Sequence, residues 1–369
     1  LIFFLFIFFS QLKTINFFLT FLIAIFLFNI FDDTKSYKEI YNYETKPNST
    51  IHGKEVIIIF DEMSGFNSLS STTIEGKKFN ENFKTLLNKY EFEVYTNSSS
   101  LFDFTNLSIP SLLNFTNNTK KNFEYISKSN NYFTNFELNK NLLFDKYKNI
   151  SVFQNMYIDY CKNVNVIKCQ SYNPFKIQSH LRGFKHDYLS RIISIWKLNG
   201  SIVSNFIWKI MREYGIIDSI LSPEGEKITF DHLFRQIETD IKKEIYDLIF
   251  IHTLVPHRPY GFNKTCNYDG KLALKNNYFS EEQHIKQHNI ERECVIFYFE
   301  KFLNNLKKDD LLDNVALTIL SDHGSRINSN INTRNSSFLA RRYKGSIYKE
   351  INKPLTTNEI FITIFNSNK

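Results

Sequence analysis

The sequence predicts an α/β protein, a mostly parallel central sheet flanked by helices, preceded by an N-terminal transmembrane segment. Three observations predict it. Apolar runs at residues 55–60, 247–252 and 317–320 are short and lead abruptly into polar, chemistry-bearing residues, as buried strands of a parallel sheet do. Stretches with helical spacing fall between them, around 80–90, 230–246 and 289–306. Residues 1–31 are almost wholly apolar.

Bulk properties agree with a folded domain. The 369 residues are 43% hydrophobic and 22% charged, which excludes a disordered chain and allows one large α/β domain or two smaller ones. A net charge of +7 suits an anionic partner such as phosphate, sulfate or an acidic membrane surface. Basic residues are scattered and no nucleic-acid motif occurs, so nucleic acid is not an expected partner. The 38 Phe belong to a compositional bias of the whole chain.

In chain order, residues 1–9 and 15–31 are apolar runs separated by a polar break that carries Lys13. The second run is just long enough to span a bilayer, and the first, which begins with Leu, reads as the end of a truncated span. Two runs without a small-residue cleavage site favour an anchor over a cleaved signal peptide. Lys13 would lie on the cytoplasmic side, which places everything after Phe31 outside the cytoplasm. Residues 32–53 read as a linker, 54–330 as the main domain and 331–369 as an extension completing it. The chain has four cysteines and no CxxC. In an exported domain they suggest disulfides, Cys161–Cys169 and Cys266–Cys294 being the sequence-local pairing; four buried thiols are the alternative.

The polar residues at the strand ends are the candidate site. Asp61 and Glu62 follow the run at 55–60 and are metal ligands or helix caps. Thr105 sits at a loop-to-helix junction, where helix amides favour an anion, and is a candidate nucleophile or an ordinary cap. The run at 247–252 delivers His252 and His257, with Arg258 beside them. Ser321-Asp322-His323-Gly324 places a hard oxygen and an imidazole nitrogen together, with a glycine for a sharp turn. A strand is expected at 150–153, and apolar helices with Trp196 and Trp208 at 188–214. Residues 338–343 and 359–365 are expected to add edge elements, and His52, His180, His186, His232, His284 and His288 to lie on the surface.

A strand followed by Asp-Glu, then Thr105-Asn106-Leu107-Ser108-Ile109-Pro110, then His257-Arg258-Pro259, then Ser321-Asp322-His323-Gly324, resembles in this order the alkaline phosphatase superfamily. The similarity is to its sulfatase-like branch, which holds sulfatases, lipid A phosphoethanolamine transferases and lipoteichoic acid synthases, and it runs from about Glu55 to Arg326. The transferase pattern implies a metal held by Glu62, Thr105, Asp322 and His323, with Thr105 as nucleophile. It implies His257 as the group that positions substrate or protonates the leaving group. His252, Arg258 and Arg326 are the expected substrate-binding residues; Arg334 reads as surface charge. No His follows His323, a departure from the family that puts a second metal in doubt and leaves the anion to an arginine. The metal expected is zinc or manganese, or calcium for a true sulfatase. The partners expected are the lipid bilayer, a phospholipid donor and a lipid or glycan acceptor. Two rival readings remain. Ser108-Ile109-Pro110-Ser111 matches most of a sulfatase nucleophile signature, with Leu112 in place of its Arg. An envelope protein of the same fold without turnover is the other.

Overall fold

The computed structural model describes residues 42–46, 54–68, 71–117, 122–128, 135–155, 157–171, 227, 230–269, 272, 278–328 and 330–366. The expected anchor at 1–31, the helices at 188–214 with both tryptophans, and His52, His180 and His186 lie outside these residues. Among the described residues no helix is long and apolar enough to cross a membrane.

A ten-stranded sheet organises the chain. Its strands are β1 (Asn42–Glu44), β2 (Glu55–Phe60), β3 (Glu93–Ser99), β4 (Ile150–Gln154), β5 (Val166–Ser171), β6 (Leu248–Thr253), β7 (Ala316–Ser321), β8 (Ser336–Arg342), β9 (Lys349–Ile351) and β10 (Leu355–Thr356). They lie in the order β1-β5-β4-β6-β2-β7-β8-β3-β9, with β10 also on β3. Only β1 and β8 run against the others. Register places the site: Phe60 is opposite Ser321 on one side and Thr253 on the other. The three central strands therefore end at one level, and the residues after them gather at the carboxyl edge of the sheet.

Both sheet faces are covered, which is why β2 is apolar without alternation. Val56, Ile58 and Phe60 point into one core with α1 (Ile74–Lys89), α3 (Phe230–Lys243) and α4 (Glu281–Lys308). Ile57 and Ile59 point into the other with α2 (Thr105–Leu113) and α5 (Thr357–Asn366). Each buried Phe or Ile contributes about 1.5–3 kcal/mol. Both expected disulfides are present, with Cα separations of 5.7 Å for Cys161–Cys169 and 5.2 Å for Cys266–Cys294.

Several elements differ from expectation. Residues 42–44, within the expected linker, form the edge strand β1. The segment expected as an edge element near 338–343 is the interior strand β8, between β7 and β3. Its charge disguised it: Arg341 reaches back to Glu55, and Arg342 donates to the carbonyls of Tyr90 and Leu312. Residues 359–365 belong to helix α5, whose Ile360, Phe361 and Phe365 cover the second core. α4 begins well before residue 289, because Ser280 and Gln283 close a capping box. His288 on that helix is fully buried, not at the surface, and His232 and His284 are half-buried.

Candidate active site

The turn after β2 separates two adjacent acids. Glu62 adopts a left-handed backbone, φ 59°, uncommon for a side chain of its size. Its amide then donates to Asp322 Oδ1 at 3.1 Å, and the two carboxylates diverge. Asp61, Asp322 and His323 come together, each buried, with ligand atoms within 4.8 Å of one another. His323 Nε2 is 3.7 Å from Asp61 Oδ1 and 3.3 Å from Asp322 Oδ2. The carboxylate beside Asp322 and His323 is thus Asp61, where the family pattern pointed to Glu62.

This cluster suits a divalent cation. Asp322 Oδ2 is buried without a hydrogen-bond partner. His323 Nδ1 donates to the Gly324 carbonyl at 2.7 Å, which fixes the tautomer and leaves the Nε2 lone pair facing the cluster. Gly324 is required by closeness, not by its backbone angles: a Cβ would lie 2.2 Å from the Thr333 carbonyl oxygen. Gly65 is packed in the same way, 2.1 Å from the Ser337 carbonyl oxygen.

Thr105 completes the group. It is the first residue of α2, buried, with Oγ1 3.2 Å from His323 Nε2 and 3.4 Å from both Asp61 carboxylate oxygens. No side chain caps this helix, and the dipole at its N-terminus favours an anion. Ser108, one turn on, faces elsewhere: its hydroxyl donates to the Asp322 carbonyl at 2.5 Å and lies 3.0 Å from Ser100 Oγ.

Glu62 enters a second group. Its Oε1 accepts from Arg326 Nε at 2.5 Å, and Arg326 Nη2 donates to His257 Nε2 at 2.9 Å. Burial would raise the Glu62 carboxyl, but the Arg326 guanidinium bonded to it holds the group well below the usual carboxylate range. Burial and Arg326 lower His257, with Glu62 opposing them. His257 Nδ1 donates to the Arg258 carbonyl, so the neutral ring has both nitrogens engaged. Arg326 also lies over the Phe104 ring, 5.4 Å from its centroid.

The remaining expected residues divide. His252, at the end of β6, receives the Tyr160 hydroxyl on Nδ1 at 2.7 Å, and its buried Nε2 has no partner. Burial holds it neutral, down to about 4. Arg258 is half-buried, and its field reaches Tyr260, His284 and His288 on the α4 side. Arg334 is no loose surface charge; it binds Asp103 at 3.1 Å, two residues before Thr105. Asp61 was visible in the sequence but not separable from Glu62. Tyr160 and the buried polar residues of α4 left no sequence signal.

The chain is similar to several solved structures. A phosphonate monoester hydrolase from Silicibacter pomeroyi aligns with a TM-score of 0.54 at 12% identity, over 85% of this chain and 73% of that one. The periplasmic domain of a phosphoethanolamine transferase from Campylobacter jejuni gives 0.46 at 12% identity, over 88% and 93%. A lipoteichoic acid synthase from Listeria monocytogenes gives 0.48 at 12% identity, over 90% and 77%. No protein-family model and no curated protein matches the chain. The fold is the one that phosphonate monoester hydrolase has, in keeping with the order of motifs in the sequence.

Proposed function

We propose that this chain, built on the alkaline phosphatase-superfamily fold, is a metal-dependent phosphoester hydrolase or transferase working through Thr105. Its site lies outside the cytoplasm, held near the bilayer by the N-terminal apolar runs, and takes a lipid-borne phosphoester with water or a lipid or glycan hydroxyl as acceptor. One observation carries the reading: the Thr105 hydroxyl stands at a helix N-terminus, beside the buried Asp61–Asp322–His323 cluster.

Asp61, Asp322 and His323 would hold the metal, with the Thr105 oxygen within reach. A divalent cation there, zinc or manganese for this oxygen–nitrogen donor set, would offset negative charge and lower the pKa of a hydroxyl beside it. Asp61 is placed to accept the Thr105 proton. The Thr105 oxygen forms a bond to phosphorus as the bond to the ester oxygen breaks, that oxygen taking a proton from solvent; the acceptor oxygen then bonds to phosphorus as the Thr105–phosphorus bond breaks, and the proton held by Asp61 returns to Thr105 while the acceptor's proton goes to solvent. Arg326 and the free Nε2–H of His252 supply positive charge and a donor for the phosphoryl oxygens. His257 serves by holding Arg326; with both nitrogens engaged, it has no proton to give a leaving group.

The test is mass spectrometry of peptide 101–120 after exposure to an aryl phosphate, alongside Thr105→Ala. An adduct on Thr105, and a loss of hydrolysis of about a thousandfold or more in the variant, are expected. Full activity in the variant, or modification at Ser108 instead, would overturn the assignment.

A further inference from the structure

Helix α4 carries two adjacent rows of buried polar residues. Gln287 and Glu291, four residues apart, share one row; His288 and Arg292 share the next. The first row grips the loop that follows His257. Glu291 Oε1 accepts from the Gly261 and Phe262 amides at 2.6 and 2.7 Å, and Gln287 Nε2 donates to the Phe262 carbonyl at 2.7 Å. Lys227, wholly buried 3.7 Å from Glu291 Oε2, donates to the His257 carbonyl at 2.7 Å. The second row grips the turn after β2. His288 Nε2 donates to the Glu62 carbonyl at 3.0 Å, and Arg292 Nη2 to the Ser64 carbonyl at 3.0 Å. Cys266–Cys294 ties the first of these loops to α4 again, three residues beyond Glu291.

The two gripped loops meet at one side chain, since Glu62 and His257 both hold Arg326. Charged and amide side chains are costly to bury, and none in these rows belongs to the Asp61–Asp322–His323 cluster. We infer that Glu291 and Gln287 are positioning residues: they fix the loop of His257 against the turn of Glu62, and so aim the Arg326 guanidinium at the substrate's anionic group. The inference deepens the proposed function and rests on its reading of Arg326 as the anion-binding group.

The experiment is calorimetric binding of inorganic phosphate to the zinc-loaded full chain, for wild type, Glu291→Gln, Arg326→Ala and the double variant. Glu291→Gln keeps the volume but loses the negative charge that accepts two amides. It should weaken phosphate binding roughly tenfold, as loss of a supporting partner does at other sites. On the Arg326→Ala background the same change should have almost no effect, because the group it aims is gone. A purely structural role would lower stability but weaken binding equally on both backgrounds, or on neither, and either result overturns the inference. If Glu291→Gln does not fold, Gln287→Ala, which removes one bond to Phe262, takes its place in the same cycle. Wild-type protein that binds no phosphate would overturn the anion-site reading and this inference together, whereas normal binding in both α4 variants overturns the inference alone.

Discussion

Asp61 and Glu62 are neighbours in the chain and sit in different electrostatic surroundings, because Glu62 has an arginine bonded to it. Asp61 joins Asp322 and His323, where one carboxylate oxygen is buried without a donor. Glu62, turned away by its left-handed backbone, also buries one oxygen without a donor, Oε2, but its Oε1 has an arginine against it. One group asks for a cation; the other already contains one, fixed by a carboxylate and an imidazole. The difference teaches how a single turn can serve two purposes. A sheet edge that gathers several acids needs positive charge, and this chain takes part of it from its own Arg326.

Three measurements would break or sharpen that comparison. The largest effect is expected from Asp322→Asn. Losing the charge of a carboxylate whose Oδ2 has no hydrogen-bond partner should abolish stoichiometric zinc binding in metal analysis and lower phosphoester hydrolysis by about a thousandfold. Unchanged metal content would mean the cluster is a hydrogen-bonded core and the contrast with Glu62 is false.

Next, Arg326→Ala should weaken phosphate binding about 10- to 100-fold, the range for losing charge-assisted hydrogen bonds, with metal stoichiometry unchanged. Arg326→Lys should recover part of it, since an ammonium cannot bridge Glu62 and His257 as a guanidinium does. A second metal equivalent in Arg326→Ala would show that the two groups are alike and that the guanidinium merely fills a cation site.

The smallest effect concerns the support of Glu62. Burial, reinforced by Arg292, lowers the folded-state value of His288 to about 3 from an ordinary 6.5. The folded chain therefore binds fewer protons than the unfolded one between those values. Its stability is complete above pH 6.5 and is lost as pH falls toward 3. At pH 5 His288 alone should cost about 2 kcal/mol relative to pH 7. His288→Gln should show a shallower fall in Tm from pH 7 to pH 5 than wild type; equal slopes would place a protonated histidine in the core.

Much of this was legible in the sequence, and what was not has physical reasons. The runs at 55–60, 247–252 and 317–320 announced their strands because both sheet faces are covered, so burial leaves no alternation to misread. Thr105, Asp322 and His323 were marked by position at element ends. The four cysteines pair as their spacing suggested. The choice between Asp61 and Glu62 was not legible, because one backbone angle decides it. Nor were Glu291 and Arg292, which read as the polar face of an amphipathic helix until two loops are known to lie against them. β8 was misjudged because Arg341 and Arg342 suggest exposure, whereas each reaches a partner within the sheet or at its end.

The place of β8 also bears on how the molecule is made. Ser336 pairs with Ser99, and Leu339 with both Leu320 and Tyr95, so the strand joins parts of the sheet made far apart in time during synthesis. Until residues 336–342 emerge, β7 and β3 are both open edges with unpaired amides and carbonyls, and α5 is not there to cover Ile57 and Ile59. During that interval the unfinished sheet is a template for another strand, and a chaperone's protection matters most there.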